Sequence, residues 1–174
     1  MLVLGLDPST RCGIALVNED KVVVHSAEIH FPKLEGFPRA QAIIAEIMEV
    51  YEGFQPDHVV IEEMFVGHAS SAIPIIQLGS LIRYFLWQEG IKYLEVSPTV
   101  LKKFVANGGQ AKKEEMMMYV LKNWGHQSKT NNTADAVGLG MFGQCAYKGA
   151  LFPKQQTEVV AKALLPKAKK PRKK

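Results

Sequence analysis

The sequence predicts an α/β fold: a mixed five-stranded sheet, three antiparallel strands followed by parallel ones, flanked by helices. Two patterns carry this reading. Apolar, β-branched runs separated by polar turns fill the first thirty positions, and after them strand-like runs alternate with stretches of helical period. The length of 174 residues, with 47% apolar and 22% charged positions, matches one domain able to build its own core.

The elements follow in order. Leu2-Val3-Leu4-Gly5-Leu6 is an apolar strand that stops in the turn Asp7-Pro8-Ser9-Thr10. Ile14–Val17 leads through Asn18-Glu19-Asp20 into Val22–Val24 and on to Ile29 and Phe31, two hairpin-like strands. Ala40, Ile43, Ile44, Ile47 and Tyr51 trace one face of a helix closed by Gly53. Val59-Val60-Ile61, apolar on both faces, reads as a central parallel strand running into Glu62-Glu63. From 70 to 89 the pattern is helical but apolar nearly all round, which suits a subunit interface, with Leu78, Ile82 and Phe85 as its candidate residues. Tyr93–Val96 is a fifth strand, and Ser97-Pro98 opens a short helix ended by Gly108-Gly109. A helix through Met117, Val120, Leu121 and Trp124 follows, and the last begins near Asn132 and turns Val137, Met141 and Cys145 inward.

Charge divides the chain in two. The net charge is +4, yet residues 162–174 hold seven cations and no acid, which leaves residues 1–161 at −3. The expected organisation is one globular domain over 1–150 and a basic, disordered tail over 151–174. Composition excludes a collagen-like or disordered chain, and no apolar run approaches the ~18 residues that cross a bilayer. The opening residues lack a basic leader, and Cys12 and Cys145 lack ligand spacing, so a cytoplasmic protein with reduced thiols and no membrane partner is expected.

Three acids are unusually placed. Asp7 ends the first strand, Glu62 ends a strand that otherwise reads as buried, and Asp135 lies in the first turn of the last helix. If strands one and four are parallel neighbours, Asp7 and Glu62 meet at one sheet edge, and a helix start packed there adds Asp135. Clustered carboxylates repel one another, and a hard divalent cation such as magnesium or manganese relieves the repulsion. Singly, each acid has a plainer reading: Asp7 as a turn residue, Glu62 as a strand exit, and Asp135 as partner to Asn132 in a capping box.

Together, Gly5-Leu6-Asp7-Pro8-Ser9-Thr10, Val60-Ile61-Glu62-Glu63-Met64-Phe65 and Asn132-Thr133-Ala134-Asp135-Ala136 resemble the RuvC family of Holliday-junction resolvases, which have an RNase H-like fold, over residues 1–147. The resemblance implies a homodimeric, metal-dependent endonuclease acting on four-way DNA junctions. It implies two Mg2+ or Mn2+ ions per site, about 4 Å apart, one activating water and the other stabilising the leaving 3′ oxygen. Asp7, Glu62 and Asp135 match ligand positions. Asn132 stands where the family usually has Asp or His, and its neutral amide offers an oxygen without charge or proton acceptance. Lys102 and Lys113, with Lys112 as competitor for the second place, match basic positions beside the active site. Phe65 matches an aromatic that stacks on an unpaired base, and Ser9 and Thr10 are read as phosphate-facing. No small-molecule cofactor is implied. Rival expectations are a hybrid, flap or general branched-DNA nuclease of the same fold, or a junction binder without catalysis. An actin-like sugar kinase ranks last, because the turn after the first strand lacks glycine.

Overall fold

The computed structural model describes residues 1–64, 69–149 and 152–165. Strands β1 (Leu2–Asp7), β2 (Cys12–Asn18) and β3 (Val23–Ile29) form an antiparallel meander. Helix α1 (Gly36–Phe54) then returns the chain to β4 (His58–Glu62), and α2 (Ala69–Gln88) returns it to β5 (Tyr93–Val96). Both strands add in parallel on the far side of β1, giving the order β3-β2-β1-β4-β5. Helices α3 (Pro98–Ala106), α4 (Lys113–Trp124), α5 (Asn131–Lys148) and α6 (Lys154–Leu164) complete the chain. The mixed five-stranded sheet is the one expected, and strands one and four are indeed parallel neighbours.

Alternation along the strands sorts the core into two layers. Leu4, Leu6, Ile14, Leu16, Val59 and Ile61 pack under α1 and α2. Val3, Ala15, Val17 and Val60 point the other way, against α5. Helix α5 lies flat on the sheet because two strand residues have no Cβ. At Gly5 a Cβ would lie 2.1 Å from the Ala136 carbonyl oxygen, and at Gly13 it would lie 2.0 Å from that of Asn132. Twelve residues of α5 are buried as a result.

Two expectations are corrected here. Leu78 and Ile82 are not interface residues: they are 4% and 2% exposed and fill the layer between α2 and the sheet. Phe85 is half-buried, while Tyr84 and Trp87 carry the outward face of α2, at 59% and 72% exposure. The helix reads as apolar all round because it covers its own sheet and also exposes an apolar strip. The boundary at 150 is also set too early. Residues 154–164 form α6, whose Val160 is buried and whose Gln156 donates from Nε2 to the Phe104 carbonyl at 3.0 Å. Abundant lysine hid the i, i+4 spacing of these two residues. Residues 166–174 lie outside the described residues.

Candidate active site

The pairing register assembles the site. Leu6 sits opposite Ile61 in the parallel pair, so the next residue on each strand, Asp7 and Glu62, reaches the same edge. Both continue the rows of Val3, Gly5 and Val60, the face covered by α5. That helix begins at Thr130, whose hydroxyl accepts from the Thr133 N–H at 3.2 Å while the Thr133 side chain accepts from the Thr130 N–H at 3.1 Å. The capping box therefore uses Thr130 and Thr133. This displaces the Asn132–Asp135 reading and leaves Asp135 free of capping, one turn into a helix seated on Gly5 and Gly13.

The three carboxylates feel one another. Burial, then the charges of Glu62 and Asp135, raise Asp7 well above the usual carboxylate range, against the opposing pull of Lys113. Burial and Asp135 push Glu62 up to about 7, although a hydrogen bond with Asp7 and the charge of Lys102 oppose the shift. Burial raises Asp135 to about 6, against Lys102 and Lys113. Lys102 and Lys113 thus reach the cluster from α3 and α4, while Lys112 is the exposed N-cap residue of α4. Among the described residues no three His, Cys, Asp or Glu side chains close into a finished metal cage. The cluster is an open set of hard oxygen donors, which suits a cation that keeps water and takes substrate phosphate as ligands.

Asn132 turns its side chain along the sheet, donating from Nδ2 to Glu28 Oε2 at 2.9 Å. Glu28 also binds Arg11, at 2.8 Å to Nε and 2.6 Å to Nη2. Burial would raise Glu28, but hydrogen bonds from Asn132, Arg11 and Thr130 outweigh it and hold the group below its ordinary range. Ser9 is occupied within its own turn: its hydroxyl donates to the Arg11 carbonyl at 2.8 Å and accepts from the Arg11 N–H at 3.2 Å. The Thr10 carbonyl contacts His30 Nδ1 at 3.1 Å, and Thr10 lines a cavity of about 450 Å³ between α1 and α2. Phe65 lies outside the described residues.

Sequence reasoning missed two residues. Arg83 is the one charged residue of α2, and it donates to the Glu62 carbonyl at 2.6 Å, the Gly79 carbonyl at 3.1 Å and Glu95 Oε1 at 2.6 Å. It braces the end of the strand that presents Glu62, and a single cation in an apolar helix was the available signal. Glu28 gave no such signal, because β3 alternates loosely and only the register places it near the site.

Comparison with known proteins agrees with this geometry. The family model of crossover junction endodeoxyribonuclease RuvC matches residues 3–142. The RuvC of Brachyspira hyodysenteriae is 29% identical over 147 residues, covering 81% of this chain and 92% of that protein. The RuvC of Halothermothrix orenii is 27% identical over 149 residues, covering 81% and 90%. Among solved structures, Thermus thermophilus RuvC superposes with a TM-score of 0.71 at 23% identity, covering 86% of this chain and 97% of that one. The same protein in complex with Holliday junction substrate gives 0.72 at 22% identity, covering 87% and 96%. With the match running from β1 into α5 and taking in every carboxylate of the cluster, the chain belongs to the RuvC family of crossover junction endodeoxyribonucleases.

Proposed function

We propose that the chain resolves four-way DNA junctions by hydrolysing phosphodiesters at the Asp7–Glu62–Asp135 edge. The convergence of these acids from β1, β4 and α5 carries the reading, since three buried like charges are costly unless a cation joins them. Asp7, Glu62, Asp135 and the Asn132 amide oxygen would hold Mg2+ or Mn2+, two ions per site. Bound there, the metal would supply an activated water and charge neutralisation at the leaving oxygen. Asp7, buried beside the other two acids, would be central to holding the cation. Lys102 and Lys113 hold positive charge beside the cluster and orient the phosphate backbone, which fits a reader of DNA shape rather than base edges.

Two-fold symmetric junctions call for paired sites, and a homodimer through the exposed strip of α2 supplies them. The unpaired thiols of Cys12 and Cys145 suit a reducing cytoplasm. The test is an end-labelled immobile junction with Mg2+ or Mn2+. Paired symmetric nicks by the native chain, with Asp7→Asn binding the junction but not cutting it, support the reading. Undiminished cleavage by Asp7→Asn sinks the metal assignment, and preferential cutting of flaps or hybrids replaces the substrate.

A further inference from the structure

The register runs Asp7 to Gly13 to Glu28 across β1, β2 and β3, a single row on the face covered by α5. Asn132 lies over the middle of this row, its carbonyl oxygen filling the space a side chain at 13 would take. Its side-chain amide reaches the Glu28 end of the row, where Nδ2 donates to Oε2. Glu28 Oε1 takes Arg11 and Oε2 takes Asn132 Nδ2, with Thr130 as a further hydrogen-bond partner of the carboxylate.

An ionised carboxylate accepts hydrogen bonds and donates none, so only the NH2 end of an amide can face it. Glu28 thus fixes which way Asn132 points, and Oδ1 is left on the side away from Glu28. Arg11 supplies the counter-charge that lets Glu28 stay ionised on this half-buried face. The same contact explains the residue type. Aspartate at 132 would set a second carboxylate against Glu28 at the distance where the amide now donates, with no proton between them.

Resting on the proposed metal-dependent reading of this site, we propose that Glu28, clamped by Arg11, is a positioning residue that holds Asn132 with its amide oxygen free for a divalent cation. Glutamate on β3 and asparagine on α5 then act as a matched pair, and neither is exchangeable alone. Glu28 touches no reacting atom; it acts through Asn132.

The test is a four-protein cycle of the native chain, Glu28→Gln, Asn132→Asp and the double variant. Each is read by Mn2+ titration calorimetry on the free protein and by Tm in EDTA. In the native background Glu28→Gln is expected to weaken Mn2+ binding about 10-fold, because a glutamine can meet the Asn132 amide in either orientation. In the Asn132→Asp background it is expected to act in reverse, raising Tm and tightening Mn2+, because glutamine can donate to the new carboxylate. The reversal of sign marks the pair, since a merely structural Arg11–Glu28 bridge would give Glu28→Gln the same loss in both backgrounds. Equal effects in both, or unchanged Mn2+ affinity in Glu28→Gln beside a native chain that binds, overturn the positioning role and leave the site reading intact. Native binding no tighter than that of Asp7→Asn overturns the site reading and this proposal together.

Discussion

Asp7 is 6% exposed, carries a carboxyl and has two more carboxyls for neighbours. Such a group costs stability whenever it ionises without a cation. The sign follows from proton uptake: folded Glu62, at about 7, and folded Asp135, at about 6, hold protons more tightly than the unfolded chain does. Metal-free stability should therefore fall as pH rises from near 4 through about 7, and the raised Asp7 adds to the fall in the same direction. Glu62 alone, moved from 4.5 to about 7, accounts for a loss of about 3 kcal/mol across that window. Asp7→Asn removes one charge of the cluster, so its Tm in EDTA at pH 8 should exceed the native value and its pH profile should flatten. Adding Mn2+ should raise the native Tm and leave Asp7→Asn nearly unmoved. A native profile that stays flat in EDTA, or equal Mn2+ stabilisation of both proteins, would show that the acids are not coupled through a metal site.

At the scale of elements, the site exists because α5 can rest on the backbone of β1 and β2. Gly5→Ala would thrust a methyl to 2.1 Å from the Ala136 carbonyl oxygen and 2.7 Å from the Gly140 nitrogen, both fixed helix backbone. The helix has to lift, at a cost of about 1–3 kcal/mol. Because Asp135 rides on that helix, junction cleavage should fall even at temperatures where the variant is fully folded. Gly53→Ala, with open space around it within α1, is the control and should gain up to about 1 kcal/mol, read from urea unfolding. This seating was only partly legible in the sequence. Apolar runs and helical period disclosed the strands, their order and most helices, because burial leaves its mark on each segment separately. The acids at the strand ends and near the start of α5 were legible for the same reason. Contacts between segments far apart in sequence, Glu28 with Asn132 and Arg83 with the Glu62 carbonyl, depend on register and packing, which no single segment encodes. The inward and outward faces of α2 were likewise indistinguishable while both were apolar, so Leu78 and Ile82 passed for surface residues.

For the whole molecule, one face of α2 packs on the sheet and the other is exposed, the strip proposed to pair two copies. Trp87→Glu, at a position 72% exposed, should convert a dimer to a folded monomer in analytical ultracentrifugation, whereas Ile82→Glu, at 2% exposure, should unfold the chain. A Trp87→Glu protein that stays dimeric places the two-fold contact elsewhere. Charge sets the remaining behaviour. A body of −2 over residues 1–165 that must approach a polyanion needs its cations gathered in one place, and Lys167, Lys169, Lys170, Arg172, Lys173 and Lys174 gather six of them at the C-terminus. Each lysine or arginine that meets a phosphate releases counterions and steepens the dependence of log K on log salt by about 0.9. Deleting residues 166–174 should therefore weaken junction binding most at low salt and reduce the slope by about 3 to 5, if most of the six engage DNA. Cleavage of bound junction should be spared, because Lys102 and Lys113 remain beside the carboxylates. A slope unchanged by the deletion would make the tail a bystander and leave those lysines, with the bound metal, to overcome the negative charge of the body unaided.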